Sequence, residues 1–185
     1  MKKHLSYMIA LLIASVQTLL VLIPFVFLLQ AVENSVGGGK NALWLQMLSA
    51  LLLSVLYAVF LIRGLYVKKG LERKIITKAY PDGTSYRWTE DLKKILVDER
   101  KILLTLVAIN LLFFLVNLMD TYWMEQMFFT FALIPLYPIF YVQLVFPAAW
   151  GWCGVLVMPI VFLVVLLLFR RRWYREWGSY SEKSL

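Results

Sequence analysis

Four stretches of this chain are long and apolar enough to meet a bilayer, and that constraint outranks everything else in the sequence. Ser6–Leu29, Ala42–Ile62 and Ile102–Met119 carry no charged side chain, and neither does the longer run from Met127 to Phe169. A hydrocarbon core about 30 Å thick takes about 20 helical residues. Backbone polar groups inside it must be satisfied within the segment, which a helix does unaided. The first three runs each supply one crossing and the last is long enough for two. The chain is 62% hydrophobic over 185 residues, above the roughly half usual in soluble domains. The expected fold is all-α, a polytopic membrane helix bundle.

Charge sets the orientation. Of 19 Lys and Arg, only Lys40 lies away from the N-terminus, the 63–101 segment and the C-terminal tail. Segment 63–101 holds 11 basic and 6 acidic residues, net +5. Clusters of this kind stay in the cytoplasm and attract anionic lipid; Lys68, Lys69, Arg170, Arg171 and Arg172 are the expected lipid contacts. The net charge of +8 therefore needs no nucleic acid to explain it. MKKHLSYMIALLIASVQ resembles a signal peptide in charge, but its apolar stretch is too long for one and reads as a retained first helix. With the N-terminus inside, four full spans (about 6–29, 42–62, 102–121 and 152–169) put every basic cluster on the cytoplasmic side. Five spans leave one strong cluster outside. The preferred reading is four spans in a bacterial inner membrane, with both termini cytoplasmic.

Residues 127–150 then form a re-entrant or interfacial segment on the outer side. Pro135, Pro138 and Pro147 each remove a backbone donor. Tyr137, Tyr141 and Trp150 suit the headgroup region, with Tyr66, Trp173 and Trp177 forming a belt on the inner side. The alternative is a proline-kinked fifth helix.

The 63–101 loop is too short for an enzymatic domain of its own. Pro81-Asp82-Gly83 signals a turn, about which residues 76–88 are expected to pair as a β-hairpin, Ile76, Lys78 and Tyr80 against Trp88, Tyr86 and Thr84. Thr89 reads as the N-cap of an amphipathic helix over 90–101 that runs on into the third span, with Lys94 and Asp98 paired on its outer side. Tyr80, Tyr86, Arg87 and Trp88 form a candidate docking surface for a protein partner; a lipid-facing stripe is the plainer reading.

Polar residues inside spans are costly and often functional. Asn110 and Asn117 share one face of the third span, with Asp120 close to it, Glu125 just beyond and Gln143 in the proline-rich segment. These five are the candidate intramembrane site, against the plainer reading that paired Asn residues are helix–helix contacts. No catalytic signature of the metalloprotease, serine-hydrolase, Walker or Rossmann type occurs. His4 is the sole histidine and Cys153 the sole cysteine, so neither a disulfide nor a paired-ligand metal site is expected, and no cofactor. The functional expectation is a non-catalytic subunit or accessory of a larger membrane assembly, in contact with lipid and with a protein partner. A carrier or channel component for a small solute, ion or lipid is the alternative, and a lipid-modifying membrane enzyme the weaker one.

Overall fold

The computed structural model describes residues 7, 9–18, 20–21, 40–80, 85–118 and 151–177, and every regular element among them is helical. They are α1 (Ile9–Thr18), α2 (Lys40–Leu65), a 3-10 turn (Val67–Lys69), α3 (Glu72–Ala79), α4 (Trp88–Asp98), α5 (Arg100–Leu118) and α6 (Gly151–Trp177). Met47–Lys69 and Cys153–Trp177 are each long and apolar enough to cross a membrane. The proline-rich segment 127–150 and the turn at 81–83 lie outside the described residues.

The hub is α6. It packs against α2 and α5 along its apolar length, and against α3 and α4 near its C-terminal end. Its two faces separate at four-residue spacing, which keeps side chains on one side of a helix. Met158, Phe162, Leu166 and Arg170 are buried, while Leu156, Ile160, Val164 and Leu168 are half exposed. Comparable exposed apolar stripes run along α1 (Ile9, Leu12, Ile13, Val16) and α2 (Leu48, Leu51, Leu52, Val55). Pro159 lies inside α6, which continues through it; a proline alone does not end a helix that its neighbours hold.

Small side chains set the contact between α1 and α2. Ala10, Ala14 and Thr18 recur every fourth residue on α1, and Ala50, Ser54 and Ala58 do so on α2, all buried. Ser15, Thr18 and Ser54 return their hydroxyls to the carbonyl four residues back at 2.8–3.0 Å, which satisfies them without a partner helix. Tyr57 on α2 lies across this contact, its hydroxyl 3.5 Å from the Leu11 carbonyl oxygen.

The charged residues collect at one end. The Tyr66 ring, just past α2, is 6.1 Å from that of Trp173 near the end of α6, and Arg170 is paired to α4, which leads directly into α5. Tyr7 and Leu11 line a small gap of about 170 Å³ with Leu65 and Lys101, so the start of α1 is there too. Hence α2 and α6 run parallel and α5 runs against them. Arg100–Leu118 is 19 residues long, a rise of about 28 Å, and Gly151 lies a similar length from Arg170. Leu118 and Gly151 therefore both lie at the opposite end of the bundle.

Two local expectations are corrected. Residues 72–79 are helical, so Ile76 and Lys78 are not in a hairpin strand; the run buries Ile76 and half-buries Ile75 and Ala79 against α6. Over eight residues the periods of strand and helix are hard to tell apart, and tertiary contact decides. The break before α3 occurs at Gly70, whose φ of +58° is left-handed, a conformation costly to any residue with a Cβ. The α4 helix begins two residues earlier than expected, with Arg87 as its N-cap and Thr89 inside it. It joins α5 through an interruption at Glu99 alone.

If small residues set the α1–α2 distance, Ala58→Leu should overpack it and cost about 1–3 kcal/mol. Leu52→Ala, on the exposed face, should change stability by no more than about 0.5 kcal/mol. Unfolding in mixed micelles compares the two.

Candidate functional site

The charged end is organised by one buried arginine. Arg170 ends the buried stripe of α6, and an isolated cation there would cost several kcal/mol. It is paired instead. Its Nη1 donates to Asp91 Oδ1 at 2.9 Å, with both side chains almost fully buried, and its Nη2 lies 3.7 Å from Asp98 Oδ2. The second Asp91 oxygen accepts the Tyr86 hydroxyl at 3.0 Å. Both carboxylate oxygens are thus occupied, the condition under which a buried ion pair is tolerated. Burial, and then the Asp91 charge, push the Tyr86 phenol above its ordinary range, which keeps it a donor.

Aromatic rings close around this pair. Tyr174 on α6 lies 5.1 Å from Tyr80 and 5.5 Å from Tyr86. Tyr86 also stands edge-on to Trp88 at 5.7 Å. Lys94 places its ammonium 4.4 Å over the Tyr80 ring and donates to the carbonyl of Ala79, the last residue of α3, where a cation suits the helix dipole. Arg171 lies over Trp88 at 5.2 Å. The segments before residue 81 and after residue 84 are therefore drawn together by side chains, with no strand pairing among the described residues.

Beside the pair opens a cleft of about 640 Å³. Tyr66, Lys74, Lys78, Lys94, Glu99 and Arg170 supply its polar wall, with Asp98 alongside; Leu71, Ile75 and Ala79 supply the apolar part. The buried Tyr66 hydroxyl faces the Glu99 carboxyl, and the buried Tyr80 hydroxyl faces Asp91. Burial pushes the Glu99 carboxyl up, and the Tyr66 hydroxyl and then the Arg170 charge offset part of that rise.

The structure sorts the sequence-derived candidates unevenly. Arg170 is not a lipid contact, because it is buried and paired inside the protein. Lys68, Lys69, Arg171 and Arg172 are exposed. Of the docking candidates, Tyr80 is buried, Tyr86 is half-buried, and Arg87 and Trp88 are exposed, Arg87 pairing with Glu90 at 3.3 Å. Tyr66 and Trp173 are buried and pack on each other instead of forming a surface belt. Lys94 and Asp98 do not pair; each is drawn inward, to Ala79 and to Arg170. Asn110 is buried, and its side-chain nitrogen donates to the Leu106 carbonyl oxygen at 2.8 Å. The Asn117 side chain, Asp120, Glu125 and Gln143 lie outside the described residues. Sequence reasoning missed Asp91 as a buried anion, though it shares a helical face with Ile95.

Comparison with protein-family models, with characterised proteins and with solved structures finds no match to this chain.

Asp91→Leu and Arg170→Met should each cost about 3–5 kcal/mol by stranding a buried charge. The double variant should lose less than either single one, because no unpaired charge remains; a double-mutant cycle by denaturant unfolding reads this. Glu99 supplies a pH test. Its folded pKa lies above the unfolded value, so its stabilising contribution is complete below the ordinary 4.5 and is lost as pH rises through the folded value. Glu99→Gln should therefore raise the Tm at neutral pH, and that gain should vanish as pH falls toward 4.5.

Proposed function

We propose that this chain is a four-pass integral membrane protein with both termini cytoplasmic, of the bacterial inner-membrane kind, that serves as a non-catalytic subunit or accessory of a larger membrane assembly. Support for the topology comes from the shared end. The start of α1, the ends of α2 and α6, and the start of α5 meet where Arg63, Arg100, Lys101 and Arg170–Arg172 collect. An even number of crossings keeps all those cations on the side that holds them. The apolar stripes on α1, α2 and α6 suit lipid, where a water-soluble protein would rarely leave so much contiguous apolar surface.

The accessory role is carried by one observation: the cytoplasmic cap is clamped in place. Because Asp91 is locked to Arg170, the outer face of α4 is held in a fixed position. That face presents Val97 at 76% exposure beside Lys93, with Leu96 also exposed at its edge. A rigid apolar patch on a cap outside the spans is suited to a protein partner. The carrier alternative draws no comparable support from Asn110, which is bonded to the carbonyl of its own helix.

Mild extraction of the tagged full-length chain should recover a partner at fixed stoichiometry. Val97→Lys or Leu96→Ala should reduce that recovery severalfold, while Leu52→Ala leaves it intact. Isolation of the folded chain alone, or recovery indifferent to Val97 and Leu96, would reject the accessory role.

A further inference from the structure

We propose that the cleft between α3, the end of α4 and α6 is a binding site for a phosphate-bearing ligand, gripped by Lys74, Lys78 and Lys94. Lys74 and Lys78 stand one turn apart on α3, and Lys94 reaches the same space from α4. Lys74 and Lys78 are exposed and form no ion pair among the described residues. Lys94 donates one N–H to the Ala79 carbonyl, and an ammonium has two more to donate.

The anions facing the cleft are Asp98 and Glu99. Asp98 is turned toward Arg170. Glu99 is half-buried, and that burial works against its ionised form. The lysines therefore outweigh the acids in the open space. Tyr66, buried in the cleft wall, turns its hydroxyl toward Glu99, so that acid is engaged with the wall and not with the lysines.

Three lysines lining one cleft call for an anion with several acceptor oxygens, and lysine is a common point-charge binder of phosphate. The apolar side formed by Leu71, Ile75 and Ala79 would lie against the non-phosphate part of the ligand. Two sources share this chemistry, the headgroup of an anionic phospholipid and a free phosphate.

The test uses the full-length protein in neutral detergent micelles, titrated separately with short-chain phosphatidic acid and with inorganic phosphate. At least one probe should bind and raise the Tm. Lys74→Gln with Lys78→Gln should weaken that binding about tenfold or more, while Arg175→Gln, an equal charge change outside the cleft, changes it less than about twofold. Binding of phosphatidic acid alone assigns the site to a lipid headgroup; binding of phosphate as well assigns it to the free anion. Binding of neither probe, or equal losses in the lysine pair and in Arg175→Gln, would overturn the proposal.

Discussion

An arginine on the buried face of a long apolar helix must bring its counter-charge with it, and the charged end of this protein follows from that demand. Arg170 continues the line of Met158, Phe162 and Leu166 into the core. The nearest available anion is on α4, so α4 has to lie across α6. Once Asp91 is in place, Tyr86 completes its hydrogen bonding and carries the chain beside Tyr80 and Tyr174. The α3 helix is held by the same set, through Ile76 below and Lys94 at its C-terminal carbonyl. A connector that would be marginal alone becomes a fixed cap. The cleft lined by Lys74, Lys78 and Lys94 is the space left between cap and bundle.

Within an apolar solvent the usual driving force for helix association is absent, because lipid tails are as apolar as leucine. Specificity then falls to close packing and to polar groups. Ala10, Ala14, Ala50 and Ala58 supply the first, allowing α1 and α2 to approach. The Arg170 cluster supplies the second, at one end only. Overlap of the helices sets the long direction of the bundle, and the ion pair sets which ends meet.

How far this was legible in the sequence depends on the kind of signal. The helices α2, α5 and α6 were visible as uncharged runs, although α6 continues to Trp177, eight residues past the apolar stretch, because its last turns pack against α3 and α4. Which face of each helix is buried was hidden, since core and lipid faces are both apolar. The four-residue recurrence of small side chains on α1 and α2 was a readable clue that went unused. The hairpin expectation failed at Ile76 because eight residues fit two periods and only contact with α6 chooses between them. The candidate site was the least legible part. Arg170 looked like one of a row of surface arginines, yet it is the member that falls in register with Phe162 and Leu166. Asp91 looked like a favourable first-turn acid, yet it lies one turn before the buried Ile95.

On the proposed membrane reading the ion pair ties topology to function, because a cap bonded to α6 can only lie on the same side of the membrane as the end of α6. Single cysteines at Lys93 and Arg172, introduced after Cys153→Ser, test this directly with an impermeant thiol reagent on vesicles of defined orientation. The account predicts that both positions label in inside-out vesicles and that neither labels in right-side-out vesicles. Labelling of the two positions from opposite sides would contradict it.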